Sequence, residues 1–506
     1  MRVGIDLGTT YSLVAKTELD GRVVLLPDNT DQDVFHTPSV VHLSGNSAVV
    51  GTMAETLLEQ NPELKVLRFF KRHLGDTKPI YFDNQGNAWY PEAISALVLK
   101  KLRYDAEAFT SQNLEAAVIT VPAHFNDPQR KAVLNAAMLA DIPVLGLVEE
   151  PVAAAIHYGI TASATNQVLL VYDFGGGTFD ATALSLDTNG IYVLSKTGLT
   201  DVGGKEMDEA VGEIILNDFT RVLGRAPSLT ARSLLELRKA SEQVKINLCM
   251  PGRNSVRQTV LLGPEALDVT VRRSDFEMRI QPLIERTVQE VLRCVKDAGL
   301  GLGDIDAVLL VGGSSMAPAV TDNLRRVFNA GQRILFHEPS KAVALGAALH
   351  ASQLSGEAKR HNIPPEFRGV TGACLGVRTI DPQSGRVTVD TLIKRNMPLP
   401  AHTKKSYYTT RDNQDRIVLD FVQFQTLKDP LVSIGQLVVG PLPSPRRNYT
   451  IEVTVDNRED GTVTVQAYDA NTGVELSQVF GRQEAGGLEN LATQRALVRS
   501  TFINNL

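Results

Sequence analysis

The sequence predicts an α/β domain of two similar lobes over residues 1–355, followed by an antiparallel β-sandwich and a short C-terminal helix. Up to Ser355, short apolar strands alternate with helical stretches, which is the pattern of α/β proteins. An apolar strand, an Asp, a Gly-rich turn and a Thr follow in this order at residues 4–10 and again at 171–178. This internal repeat predicts two related lobes that face each other. Beyond residue 370 the apolar residues alternate with polar ones, as in half-buried strands.

In the α/β part, residues 168–172 and 308–311 are continuous in Val, Leu and Ile and are predicted to be buried strands. Residues 128–140 and 233–248 are predicted to be helices. The stretch 356–370 is polar and contains Gly and Pro, which predicts an interdomain linker.

The β-rich module is predicted to span residues 371–481. Apolar side chains share one face of residues 449–455 and continue on it at Val463 and Val465 after a turn at Asp460-Gly461, which predicts a hairpin. Residues 386–393 and 417–424 show the same alternation. Residues 482–506 are predicted to form a helix.

Composition excludes several classes of protein. The 506 residues carry a net charge of −6, so no basic excess is present for binding nucleic acid. No apolar run reaches the roughly 18 residues that a membrane span needs. Cys249, Cys294 and Cys374 are too few and too far apart for a disulfide framework or a metal motif. The nine histidines show no metal-ligand spacing, and no signal peptide is recognised. We therefore expect a cytoplasmic protein that contacts neither membrane nor nucleic acid.

The two Gly-rich turns predict a phosphate site. Glycine at Gly8 and at residues 175–177 lets backbone N–H groups approach phosphate oxygens, and successive amides form an anion-binding concavity. The hydroxyls of Thr9, Thr10 and Thr178 can add donors. Asp6 and Asp173 stand at strand ends and are predicted to hold Mg²⁺ through its water shell.

A third glycine element predicts where a nucleoside would pack. A buried strand is followed by Gly312, Gly313 and Ser314, then by a helix with Pro318 in its first turn. The pair Gly203 and Gly204 fits a similar role. No GxxxxGK[ST] loop occurs, so a P-loop enzyme is excluded. The three glycines of residues 299–303 lie between a helix and a strand and are predicted to be a loop, not a dinucleotide fingerprint.

These motifs resemble those of the seventy-kilodalton heat-shock chaperones, the DnaK family. The resemblance rests on six segments in matching order: GIDLGTTYS at residues 4–12, AVITVPAHFNDPQR at 117–130, EPVAAA at 150–155, YDFGGGTFD at 172–180, VGGSSMAP at 311–318 and EPSKAVALGAA at 338–348. In the β-module, residues 412–414 and 433–436 resemble markers of the family's peptide-binding sandwich. The chain is similar to a divergent, lid-truncated, bacterial-type member (HscC-like).

The resemblance implies an ATPase domain with the actin and sugar-kinase fold whose cycle controls peptide affinity in the sandwich. It implies ATP or ADP, Mg²⁺ and K⁺ as ligands, and extended peptides, a J-domain co-chaperone and a nucleotide exchange factor as partners. The implied catalytic residues are Lys71, Glu150, Asp173, Thr178 and Asp180. Further nucleotide contacts are implied for Tyr11, Gly175, Gly176, Gly177, Lys205, Glu242, Lys245, Cys249 and Met316. Pro122 and Arg130 resemble the family's proline switch, and the implied peptide-lining positions are Val377, Ile380, Tyr407, Thr410, Ile417 and Leu419.

The chain departs from the family pattern at three places. Met316 stands where the family usually has an arginine on the adenine ring, and Cys249 replaces a usual serine, so weaker nucleotide binding is expected. The linker at residues 365–370 has lost its leucines, so weaker docking is expected. Only about 25 residues follow the sandwich, which predicts a short helical remnant of the lid over residues 482–506.

Three functions are compatible with these patterns. The first is an ATP-dependent chaperone with a slow ATPase, acting in protein folding and the stress response. The second is a nucleotide-gated scaffold or exchange-factor-like homologue whose sandwich does not bind clients. The third is a small-molecule kinase of the same superfamily, which the sandwich markers at residues 412–414 disfavour.

Overall fold

The computed structural model describes residues 1–161, 166–328, 331–356, 366–380, 386–443, 446–458, 462–480 and 488–504. Strands and helices are numbered in chain order. The described residues form two α/β lobes, a β-sandwich and a C-terminal segment. Among their helices, none combines the length and the apolar character that crossing a bilayer requires.

The first lobe holds a mixed sheet and a group of helices on its faces. Its strands are β1 Arg2–Asp6, β2 Tyr11–Thr17, β3 Val23–Leu26, β4 Thr37–Pro38, β5 Val41–Ser44, β6 Ser47–Val50, β7 Tyr81–Phe82, β8 Ala88–Trp89, β9 Ala116–Val121 and β10 Val144–Glu149. Its helices are α1 Thr52–Gln60, α2 Pro91–Thr110, α3 Asp127–Leu139 and α4 Glu150–Thr161. The main sheet runs in the order β10-β9-β1-β2-β3. The helix α3 begins with a reciprocal capping box between Asn126 and Gln129 and has a proline in its first turn.

The second lobe repeats this plan. Its strands are β11 Gln167–Phe174, β12 Phe179–Leu186, β13 Gly190–Leu199, β14 Ser255–Leu262, β15 Glu265–Arg272, β16 Ala307–Val311 and β17 Arg333–Phe336. Its helices are α5 Gly204–Leu223, α6 Ala231–Cys249, α7 Arg273–Asp297, α8 Pro318–Val327 and α9 Ala342–Leu354. The order β17-β16-β11-β12-β13 matches that of the first lobe, with two parallel neighbours on one side of β11 and an antiparallel hairpin on the other. The two lobes predicted from the internal repeat are therefore present.

Two helices form the layer between the two sheets. α4 and α9 bury their apolar faces in one cluster with β9, β11 and β16. The helices cross at Gly346, where an added Cβ would lie 1.7 Å from the carbonyl oxygen of Ala153. Only glycine fits there, so the sequence at this crossing sets how closely the lobes approach.

The linker docks as a strand. β18 Glu366–Arg368 pairs in parallel with β13 and extends the second-lobe sheet by one strand. Val370, just beyond it, is buried in the interlobe cluster. The linker therefore docks on the second lobe without its leucines, and the expected weakness of this docking stays a prediction. Backbone hydrogen bonds do not depend on leucine side chains, and one apolar residue supplies the burial. Residues 357–365 of the predicted linker lie outside the described residues.

The module that follows is an antiparallel sandwich of two four-stranded sheets. Their orders are β20-β19-β22-β23 and β21-β24-β25-β26. The strands are β19 Cys374–Ile380, β20 Val387–Ile393, β21 Ala401–Tyr408, β22 Ile417–Phe424, β23 Val432–Val439, β24 Thr450–Asn457, β25 Val463–Asp469 and β26 Val474–Phe480. The predicted hairpin is the β24–β25 pair, although its turn at residues 459–461 lies outside the described residues. The inward faces of both sheets form one apolar core.

The C-terminal segment packs on the first lobe, not on the sandwich. It consists of α10 Leu488–Ser500 and β27 Phe502–Ile503. Val498 and Ile503 are buried in the core of the first lobe, and β27 pairs in parallel with β6. The prediction of a lid remnant is corrected for residues 488–504, because their apolar side chains are buried against another partner.

Polar contacts fix this position. Lys100 on α2 donates from Nζ to the carbonyl oxygens of Val498 at 3.2 Å and Thr501 at 2.7 Å, at the C-terminus of α10. A cation there complements the negative end of the helix dipole. Gln494 donates from Nε2 to the carbonyl oxygen of Ala88 at 2.8 Å.

Candidate functional site

A cavity of about 970 Å³ opens between the two lobes. Both Gly-rich turns, the strand end at Val311 and the helix α6 contribute to its wall. Of the residues predicted to bind a nucleotide, thirteen line it: Gly8, Thr9, Thr10, Tyr11, Gly175, Gly176, Gly204, Lys205, Glu242, Lys245, Gly312, Gly313 and Ser314. Asp6, Lys71, Glu150, Asp173 and Thr178 line it as well. A pocket of this size holds a ligand of several hundred daltons.

The two Gly-rich turns face each other across the cleft. A Cβ added to Gly176 would lie 2.1 Å from Thr10 Oγ1, so a side chain here would collide with the opposite turn. At Gly8 the same addition would come within 1.8 Å of the carbonyl oxygen of Tyr11. Ser39 supports the first turn by donating its hydroxyl to the Gly8 carbonyl at 2.8 Å. The absence of a side chain at Gly176 lets the two turns approach each other, and at Gly8 it permits the tight turn before β2.

A group of buried carboxylates surrounds one lysine at the inner end of the cavity. Lys71, on a short 3₁₀ helix at Phe70–His73, donates to Glu150 at the start of α4. Burial raises the pKa of Glu150 to about 7, although Lys71 opposes this. Burial and the nearby Glu150 and Asp180 raise the pKa of Asp173 well above its ordinary value. Burial also raises the pKa of Asp6, which accepts a hydrogen bond from Thr120 at 3.0 Å.

This arrangement fits a divalent cation. Lys71 interacts electrostatically with the carboxylates of Asp6, Glu150 and Asp173, so acidic groups outnumber the lysine at this end of the cavity. Hard oxygen donors of this kind are the ligands that Mg²⁺ prefers. Asp6 and Asp173, at the ends of β1 and β11, occupy equivalent positions in the two lobes and would hold the ion between them.

Ion pairs across the cleft hold the lobes together. Arg72 in the first lobe makes a bidentate pair with Glu206 of α5 at 2.9 and 3.0 Å. The hydroxyl of Tyr11 donates to Glu242 of α6 at 3.2 Å. Lys245 pairs with Asp208 at 2.8 Å within the second lobe. Glu242 and Lys245 line the cavity one helical turn apart on α6, and the ribose contact that the resemblance implied for them stays a prediction.

Four of the residues predicted to contact the nucleotide stand apart from the cavity wall. Gly177 and Gly203 lie behind it, where a Cβ on Gly203 would meet the Gly177 nitrogen at 2.6 Å. The side chains of Cys249 and Met316 do not line the cavity, and Met316 is 48% exposed. The structure therefore does not place Met316 against the cavity in the way that the resemblance implied.

Sequence reasoning missed His124. Its backbone N–H donates to Asp180 Oδ1 at 3.2 Å, and its ring Nδ1 lies 2.9 Å from the same oxygen. His124 thus fixes the carboxylate of Asp180, which is itself buried outside the cavity wall. The sequence feature that could have identified His124 is its position two residues after Pro122, inside the predicted proline-switch segment.

The segment after β9 connects the carboxylate group with the sandwich. Arg130 and Lys196 both pair with Glu149. Burial acts to raise the pKa of Glu149, but Lys196 and Arg130 together hold it below its ordinary value. Asp127, three residues after His124, accepts a hydrogen bond from Gln423 Nε2 of the sandwich at 2.7 Å, and its N–H donates back to Gln423 Oε1.

Two more contacts join the sandwich to the second lobe. The Lys196 N–H donates to Asn396 Oδ1 at 3.1 Å, and Arg395 pairs with Asp297 of α7. Arg130 itself pairs with Glu149 of the first lobe, and Pro122 lies five residues before the Asp127 contact, so the switch role of these two residues stays a prediction.

The structure corrects the peptide-lining positions. Val377, Tyr407, Ile417 and Leu419 belong to the core between the two sheets and are buried. A peptide cannot contact them in this conformation. Ile380 and Thr410 are exposed. Strand alternation identifies two faces of a sheet but does not tell which one a second sheet covers.

The fold and the cavity together define a two-lobed protein with an interlobe cavity and an attached β-sandwich. A family model described as Hsp70 protein matches residues 2–80 and 75–496. The chain belongs to the Hsp70 family. Members of this family are ATPases that bind ATP or ADP with Mg²⁺, and membership indicates an ATP-dependent chaperone function.

Proposed function

We propose that this protein binds exposed apolar peptide segments in its sandwich under the control of slow ATP hydrolysis between its lobes. The observation that carries the proposal is the short segment 122–127. His124 in it contacts Asp180 beside the cavity, and Asp127 contacts Gln423 of the sandwich. Only two residues lie between these contacts, so a change at the phosphate end of the cavity would reach the sandwich directly.

Each residue of the site would have its own role in ATP hydrolysis. Lys71 would stabilise negative charge that develops on the transferred phosphoryl group. Glu150 would orient the attacking water, and Asp180, held by His124 behind the cavity wall, would act through its charge on Glu150. Thr178 would contact the terminal phosphate from the second turn. Asp6 and Asp173 would hold Mg²⁺, which neutralises phosphate charge when it is bound.

Other ligands and partners follow from family membership and remain part of the proposal. Potassium ions would accompany Mg²⁺ at the phosphates. A J-domain co-chaperone and a nucleotide exchange factor would regulate the cycle. Peptide contact at the four buried sandwich positions would require the two sheets to rearrange, and we assign that state to a sandwich released from the lobes.

Single-turnover ATP hydrolysis, measured with and without a panel of extended apolar peptides, tests the function. We expect peptide to accelerate hydrolysis, and we expect Thr178→Ala to bind ATP but hydrolyse it at least tenfold more slowly, since it removes a contact made at the reacting phosphate. Thr410→Ala, an exposed threonine of the sandwich, serves as the control for hydrolysis without peptide. Unchanged turnover in Thr178→Ala would remove this residue from the site. Hydrolysis that ignores every peptide would favour the scaffold function.

A second measurement tests the path between the domains. Gln423→Glu would place a carboxylate against half-buried Asp127, whose pKa desolvation already raises to about 6. We expect the peptide-stimulated increment to fall on the order of fivefold or more, with basal hydrolysis unchanged. Gln436→Glu, which makes the same change on the exposed strand β23, is the matched control. Equal stimulation in both variants would contradict the proposed path.

A further inference from the structure

A group of metal-binding side chains lies outside the cleft. His157 on α4 and His337 and Glu338 after β17 bring their ligand atoms within 4.8 Å of one another. His157 Nε2 is 3.6 Å from a carboxylate oxygen of Glu338, and the two imidazole rings are 5.0 Å apart between centroids. These residues are 180 positions apart in the sequence, so only the packing of α4 against the second lobe brings them together.

We propose that His157, His337 and Glu338 form a binding site for a divalent transition metal of the zinc class. Zinc bound at 2.0–2.2 Å by tetrahedral ligands would separate neighbouring donor atoms by about 3.4 Å. The observed 3.6 Å between the His157 and Glu338 donors is close to that value. Two imidazoles with one carboxylate suit zinc better than Mg²⁺ or Ca²⁺, which prefer oxygen ligands. Three protein ligands leave one position for water.

Two features of the surroundings support the site. His157 is buried, and Tyr158 packs edge-on against His337 at 5.6 Å, so both rings are held in place. Glu338 has a φ of 45°, in the left-handed region that non-glycine residues seldom adopt. This backbone conformation is compatible with the approach of its carboxylate to His157.

The site lies beside the nucleotide cavity. Pro339, directly after Glu338, lines the cavity and accepts a hydrogen bond from the Gly312 N–H at 2.8 Å. A bound ion would therefore fix α4, whose first residue is Glu150, to the loop that supports the third glycine element. The ion would stabilise one position of this loop against α4.

Zinc binding to the metal-free, nucleotide-free full chain tests the proposal, with a fluorescent zinc indicator as competitor. We expect one equivalent of Zn²⁺ to bind, and affinity to fall at least tenfold in Glu338→Gln and in His337→Gln. Glu338 is exposed, so its isosteric replacement leaves folding intact. His402→Gln removes a histidine that also pairs with a carboxylate, Asp456, on the sandwich surface, and serves as the matched control.

Cobalt provides a second readout, because Co²⁺ in a site of low coordination number absorbs visible light strongly. We expect this absorption in the unmodified protein and in His402→Gln, and its loss in His337→Gln. Absence of a stoichiometric site overturns the proposal, and so does equal zinc affinity in Glu338→Gln and the unmodified chain. Because no nucleotide is present, either failure leaves the proposed ATPase function untouched.

Discussion

Replacing Lys71 with methionine is expected to slow single-turnover ATP hydrolysis by about 10²–10³-fold, the loss typical of removing one group that stabilises transition-state charge. Methionine keeps the aliphatic length of the side chain and removes the charge beside the terminal phosphate. ATP binding should persist, because the glycine turns and α6 form most of the cavity wall. Rapid-quench measurement of product formation, with nucleotide binding measured in parallel, separates the two steps.

The same change also removes the partner of a buried carboxylate. Breaking a buried ion pair on one side destabilises a protein by about 3–5 kcal/mol. Glu150 has a pKa already raised to about 7, so it can take up a proton and reduce this loss. The double variant Lys71→Met with Glu150→Gln should therefore be at least as stable as the single variant and equally inactive.

Lys78→Met, at an exposed lysine seven residues further on, is the matched control and should hydrolyse ATP normally. If Lys71→Met retains activity near that of Lys78→Met, the assignment of Lys71 to the terminal phosphate is wrong. If the double variant is folded and active, Glu150 is not needed for the chemistry either.

Deleting residues 488–506 is expected to destabilise the first lobe by about 3–6 kcal/mol, since burying a Val or an Ile contributes about 1.5–3 kcal/mol each. The deletion removes Val498 and Ile503 from the core of that lobe and exposes the edge of β6. The chain has one tryptophan, Trp89, which is buried in the first lobe next to the Gln494 contact. Urea unfolding followed by its fluorescence therefore reports on this lobe.

Single substitutions show whether the stabilisation comes from the buried side chains of this segment or only from its presence. Val498→Ala should lower the free energy of unfolding by about 2 kcal/mol, because Val498 is fully buried. Phe502→Ala, at a side chain that is 71% exposed, should change it little. Peptide affinity should be nearly the same in the deletion variant under folding conditions. Loss of peptide affinity with an unchanged unfolding curve would restore the interpretation of this segment as a lid.

Much of the site could be predicted from the sequence because its chemistry is local. A strand end with an Asp, a glycine turn and a threonine is a continuous pattern, so Asp6, Thr9 and Thr10 were recognised before any packing was known, and so were Asp173 and Thr178. The repetition of this pattern predicted two lobes with matching sheets. Backbone geometry around such turns depends on residues only a few positions apart.

The linker and the sandwich marked the limits of this reasoning. Poor leucine content predicted weak docking, yet β18 pairs with β13 through backbone groups that every non-proline residue carries. In the sandwich, alternation identified Val377 and Leu419 as members of one face. It could not tell that a second sheet covers that face.

The sequence by itself determined the two lobes, the glycine turns and the identity of the charged groups at the inner end of the cavity. The tertiary structure alone decided which distant groups meet. It placed His124 on Asp180, paired Arg72 with Glu206 across the cleft, docked Val498 on the first lobe and brought His157 to Glu338. Local patterns follow from hydrogen bonds and steric limits within a few residues. Contacts between remote residues depend on how whole faces of helices and sheets bury their apolar area. A short stretch of sequence does not specify which faces pack together.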